Sequence, residues 1–159
     1  MAAIKQKYIE FIDGWQENQE GKKMVITLDE DKQEALARYL ECTIGDLSSI
    51  DENDYLVLTD EEADEKAKEY IEQSVWAFNK SFLDAHSDCI SKIPDDAFKA
   101  IQEKCESAND AILAMIDDFD HFVEDAIKCG GRGHFMSSYD GEEAEYLVNG
   151  TTYYVYRLN

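Results

Sequence analysis

Reactive side chains crowd into one short stretch of this chain. Between residues 130 and 143 the run GGRGHFMSSYDGEE sets Arg132, His134, Ser138 and Asp140 among glycines. Two chemistries suit those types. A guanidinium beside the backbone amides of a glycine turn could grip a phosphate, and a histidine near hydroxyls and a carboxylate contains the letters of a nucleophilic triad. Neither has its signature here: GGRG lacks the Lys-Ser/Thr ending of a phosphate loop and follows a helical pattern instead of a strand, and no G-x-S-x-G elbow is present. Arg132, His134, Ser138 and Asp140 therefore stand as an alternative ligand-binding set in a turn over 130–142, suited to a small molecule or nucleotide. No catalytic residue is assigned. The structural reading of the same residues is that Arg132 neutralises part of an acidic surface while the glycines permit the turn.

Metal chemistry has weaker signals. His86 with Cys89, and Cys129 with His134, are ligand types at close spacing, but neither pair forms a complete fingerprint. The acidic runs at 29–31, 51–54 and 117–120 lack the order of a calcium loop. No metal and no cofactor is expected, and the four scattered cysteines read as reduced thiols.

Acidity is the more distinctive property. Against 15 basic side chains the chain carries 36 acidic ones, a net charge of −21. Such a field repels nucleic-acid phosphates and anionic membranes, and attracts proteins with basic grooves. Direct binding of DNA or RNA is thereby disfavoured. The carboxylates are also patterned: over a helix expected at 60–79, Glu61, Glu65, Glu69 and Glu72 gather opposite an apolar stripe, and Trp76 projects onto the acidic face. Carboxylates four apart rise about 6 Å along a helix, a scale similar to consecutive phosphates. Asp117, Asp118, Glu124 and Asp125 make a second patch. These nine residues are the candidate contacts for a protein whose basic groove binds nucleic acid; the alternative is a solvated helix face, with Trp76 covered by a neighbouring segment.

The elements that must position these residues follow from periodicity and punctuation. Helical spacing covers 2–13 and about 29–42, with a brief extended run at 24–28 between them. A strand is expected at Tyr55–Leu58, and Thr59 with Glu62 has the spacing of a capping box for the helix that follows. Pro94 opens another helix. A long pattern from about Asn109 to Lys128, continuous with the Pro94 helix in one reading, ends at Gly130 and Gly131. Asn149-Gly150 between β-rich runs is a hairpin turn. Together these predict one α+β domain over 1–159, helix-rich, with a small antiparallel sheet that includes the C-terminal hairpin. The start MAAIKQKYIEF has no apolar leader and no run is long enough to span a membrane, so a cytoplasmic protein is expected.

YLVLTDEEADEKAKEYI at 55–71, WAFNKSFL at 76–83 and GRGHFMSSYDGEE followed by YYVYRLN carry a resemblance. Together they resemble a group of small acidic proteins of bacteriophages and mobile elements, over the C-terminal two-thirds of the chain. The resemblance implies a phage setting, the host cytoplasm as location, and a role like that of counter-defence proteins such as anti-CRISPR or anti-restriction inhibitors. Residues 1–54 lie outside it. A structural or assembly role is the remaining alternative, which a stable homo-oligomer would mark.

Overall fold

The computed structural model describes residues 28–159. The helix expected over 2–13 and the run at 24–28, apart from Leu28, lie outside the described residues. Helix α1, Glu30–Tyr39, begins where Asp29 accepts a hydrogen bond from the Lys32 amide at 2.8 Å, with Glu30 and Asp31 in its first turn. It ends short of Cys42, and Glu41 turns back at φ 53°. A 3₁₀ turn over Ile44–Ser49 leads towards strand β1, Tyr55–Thr59.

Thr59 closes that strand and caps helix α2, Asp60–Ser74: its hydroxyl accepts from the Glu62 amide, and the Glu62 carboxylate accepts from the Thr59 amide at 2.9 Å. Lys32 reaches the same carboxylate at 2.7 Å and so ties α1 to the start of α2. Burial works against ionisation of Glu62, but Lys32 and Thr59 outweigh it and hold the carboxyl below its ordinary range. Three short helices follow, α3, Lys80–Ala85, α4, Asp95–Gln102, and α5, Asn109–Leu113. Helix α6 is Phe119–Met136.

The pattern from Asn109 to Lys128, expected as one helix, is therefore broken, and it is not continuous with the Pro94 helix, which ends at Gln102 before a 3₁₀ turn over Cys105–Ala108. Asp117 accepts from the Asp88 amide at 2.9 Å, and Asp118 leaves helical geometry to cap α6 through the His121 amide at 3.1 Å. α5 has already ended at Leu113; the two carboxylates tie the intervening turn to Asp88 and open α6, although the apolar spacing runs on. Gly131, at φ 75°, interrupts α6 as the glycine pair suggested, yet helical geometry resumes and lasts to Met136.

Strands β2, Ala144–Val148, and β3, Thr151–Arg157, form the expected hairpin, with Asn149 at φ 49° and Gly150 at φ 89° in its tight turn. β3 lies in the middle of an antiparallel sheet of order β1-β3-β2. Alternation along β3 sends its side chains to opposite faces. Tyr153 and Val155 join Val57 and Val148 under Leu36 of α1, while Tyr154 and Tyr156 face the helices with Leu56 and Leu58. On that second face Ala63, Ala67 and Ile71 of α2 let α6 approach closely, and Phe122, Val123 and Ala126 fill the contact. The fold is α+β and helix-rich, with a small sheet that carries the C-terminal hairpin. Among the described residues no helix is long and apolar enough to cross a membrane.

Candidate functional site

The first candidate surface is the outer side of α2. Glu61, Glu65, Glu69 and Glu72 are all exposed. Glu69 pairs with Lys66 at 2.9 Å and Glu72 lies in the field of Lys68, whereas Glu61 and Glu65 have no ion-pair partner among the described residues. Trp76 does not continue this row. α2 stops at Ser74, the chain tightens into a 3₁₀ turn over Val75–Ala77, and the half-buried Trp76 ring packs against the helical core. Its backbone is held on both sides, the amide by Asn109 Oδ1 at 3.4 Å and the carbonyl by Gln102 Nε2 at 2.8 Å. A projection at α-helical pitch missed this because the tighter turn changes the direction of the side chain.

The second acidic patch has internal duties. Asp117 and Asp118 set the break between α5 and α6, and Asp125 faces His86, His121 and Lys128. Glu124 is exposed.

The glycine-rich stretch disperses its reactive types instead of converging them. Arg132 sits just after the interruption in α6 with a side chain only 10% exposed. Its guanidinium donates to Asp60 Oδ1 at 2.8 Å, Asp64 Oδ1 at 2.9 Å and Glu143 Oε2 at 3.0 Å, and it lies 4.2 Å above the Tyr154 ring. The Tyr156 hydroxyl donates to that same Glu143 oxygen. Burial would lower the Arg132 pKa, but the carboxylates more than offset it and keep the cation fully charged. The Arg132 hydrogen bond in turn holds Asp60 below the ordinary carboxylate range, and burial followed by the Glu143 contact pushes the Tyr156 phenol well up. Arg132 is thus a clamp joining α2, α6 and the sheet.

The rest of the set is bound elsewhere. Asp140 accepts from the Glu142 amide at 3.0 Å and lies 2.7 Å from the Ser137 hydroxyl, and these contacts hold its carboxyl below the usual range. Ser137 is also 2.8 Å from the Arg157 carbonyl, so its single proton can serve only one acceptor at a time. Ser138 donates to the Leu158 carbonyl at 3.1 Å. His134 is exposed and stands edge-on to Phe135.

A third group is one the sequence pairs did not disclose. His86, at the C-terminal end of α3, meets His121 and Asp125 of α6 rather than Cys89, which is exposed. Asp125 Oδ2 lies 3.7 Å from His86 Nε2 and 3.6 Å from His121 Nε2. Lys128 Nζ approaches the other oxygen, Oδ1, at 3.3 Å. The exposures differ sharply: 6% for the His86 side chain, 32% for Asp125 and 57% for His121. Beside the group opens a cavity of about 480 Å³, lined by Asn79, Phe82, His86, Asp125, Lys128 and Cys129 among others. The signal available in the sequence was His121 with Asp125, four residues apart on one helical face. Cys129 and His134, the other sequence pair, border a second cavity with Tyr70 and Phe135.

Comparison with family models, with curated proteins and with solved structures finds no match to this chain.

Proposed function

We propose that this protein is a non-catalytic binding protein of phage or mobile-element origin. Its acidic face docks into the basic nucleic-acid-binding groove of a host defence complex and inhibits it as a nucleic-acid mimic. The observation that carries the reading is the exposed row Glu61, Glu65, Glu69 and Glu72 on α2, of which Glu61 and Glu65 stand without an ion-pair partner among the described residues, on a chain of net charge −21. Like charges one turn apart disfavour an isolated helix by about 0.2–0.5 kcal/mol a pair. A basic groove would remove that repulsion, and the carboxylates would take the place of phosphates in releasing counterions. Glu69 and the exposed Glu124 belong to the same field. Trp76, Asp117, Asp118 and Asp125, given their internal contacts, would shape the surface more than touch the partner.

Host lysate passed over the immobilised protein at low and high salt tests the reading. Capture of a nucleic-acid-processing complex, weakening steeply with salt and lost on the double change Glu65→Lys and Glu69→Lys, is expected. Equal capture by the charge-reversed protein would remove the mimic mechanism.

A further inference from the structure

Of the described polar side chains, His86 is the one whose position is hardest to account for by folding alone. Its side chain is only 6% exposed. Three aromatic rings surround it, Phe82 at 5.0 Å, Phe122 at 5.2 Å and His121 at 5.3 Å between centroids. Such ring contacts do not satisfy a ring nitrogen. Among the described residues neither ring nitrogen of His86 makes a hydrogen bond; Asp125 Oδ2, 3.7 Å from Nε2, is at ion-pair distance for a protonated ring but beyond hydrogen-bond reach. A polar group that the protein encloses without giving it a partner carries a desolvation penalty. The folded chain keeps it, pointed at two other ligand-type side chains.

From this geometry we infer that His86, His121 and Asp125 form a binding site for a divalent transition-metal ion, with zinc as its representative. Two imidazoles and a carboxylate suit such an ion better than calcium or magnesium, which take sets of oxygen ligands. The spacing is close to what coordination needs. With bonds of about 2.0–2.1 Å, tetrahedral ligand atoms stand about 3.3–3.4 Å apart. The two separations to Asp125 Oδ2 are 3.6 and 3.7 Å, and the ligand atoms of all three residues lie within 4.8 Å of one another. Small rotations of the side chains would close the site.

The frame around the site is already braced. His121 and Asp125 are successive on one face of α6. The His86 carbonyl accepts from the Asp117 amide at 3.0 Å, and the Asp88 amide donates to the Asp117 carboxylate at 2.9 Å, so the segment carrying His86 is pinned to the start of α6. Lys128 holds Asp125 Oδ1 and leaves Oδ2 turned to both imidazoles, an outer contact that orients a ligand. The same ammonium opposes a bound cation. The surrounding field of −21 favours it.

Three protein ligands leave one position of a tetrahedral ion open, and the cavity beside His86 and Asp125 lies where a water or a small ligand could complete the coordination. The inference shares Asp125 with the second acidic patch but not the exposed row on α2 that carries the groove-binding reading, and either can fail alone.

Titration of the chelator-stripped full chain with zinc sulfate, read by isothermal calorimetry and by competition with a chromophoric chelator, tests the site. One ion per chain is expected, with magnesium in excess failing to displace it. His121→Ala removes a mostly exposed side chain, so it should fold normally and weaken zinc binding about tenfold or more. Asp125→Asn should do the same. Exposed thiols are the main competitors, and the double change Cys89→Ser and Cys105→Ser, neither of which lines the cavity, should leave the affinity unchanged. Zinc bound as tightly by His121→Ala as by the parent, displaced by magnesium, or lost with the cysteines would overturn the proposal.

Discussion

Exchanging Arg132 for lysine keeps the charge and removes the fork. The guanidinium serves Glu143 through two nitrogens, reaches Asp60 and Asp64 with a third donor direction, and lies flat on Tyr154. An ammonium is a point charge that can neither chelate Glu143 nor stack. Glu143 would then keep only the Tyr156 hydroxyl and one cationic contact in a side-chain environment 27% exposed. We expect Arg132→Lys to lower stability by about 1–2 kcal/mol, read as a shift of the urea midpoint at unchanged slope. A variant as stable as the parent would mean that charge alone matters here. That Arg132 would meet acidic neighbours was legible from composition, since acids outnumber bases by more than two to one. Which acids was not, because Asp60 and Glu143 come from opposite ends of the described chain.

Between α6 and the turn before β2, the closest approach is made by a glycine. A methyl group on Gly133 would meet the Gly141 carbonyl oxygen at 2.5 Å and the Glu142 carbonyl carbon at 2.7 Å, both backbone atoms that cannot swing aside. Gly130, three residues earlier on the same helix, would meet only the His134 ring, at 3.4 Å. Gly133→Ala should therefore destabilise by about 1–3 kcal/mol, while Gly130→Ala should be neutral or stabilise by a few tenths to about 1 kcal/mol through helix propensity. Thermal melts of the two variants side by side check this. The pair also marks what can be read from a sequence. The capping box at Thr59 and the Asn-Gly hairpin were legible because their partners lie within three residues. The break at 114–118 was hidden, since the apolar spacing continues through it and, apart from the local Asp118 cap, the hydrogen bonds that fix it come from Asp88 and His86, roughly thirty residues away in sequence. The histidine group was hidden for the same reason: His86 and His121 meet only once α3 has docked on α6.

At the scale of the molecule, charge and pH act in opposite directions on the isolated chain. A net charge of −21 makes the folded state repel itself, so added salt should raise the melting temperature at pH 7 even as it weakens any basic partner's grip. Asp46, Asp60 and Asp140 have folded pKa values below their ordinary ones, through hydrogen bonds from Thr43, Arg132 and Ser137 respectively. A depressed carboxylate contributes stability that is complete above its unfolded pKa, about 3.9, and is lost as pH falls through the lower folded value. Repulsion among the many other carboxylates eases as they protonate from the neutral side. Stability at constant ionic strength should thus peak between about pH 4 and 6 and decline on both sides. A melting temperature that climbs steadily to pH 8 would show that repulsion among the carboxylates does not govern stability near neutrality.

The central place of β3 has a consequence for how the chain is made. Val57 and Leu36 on one face, and Leu56 and Leu58 on the other, gain their central sheet neighbours only when Tyr153 to Tyr156 pairs between β1 and β2. Those residues leave the ribosome after every other described element. Both faces of the sheet would therefore lack their central strand until the hairpin emerges, and a chain of net charge −21 repels its own copies during that interval.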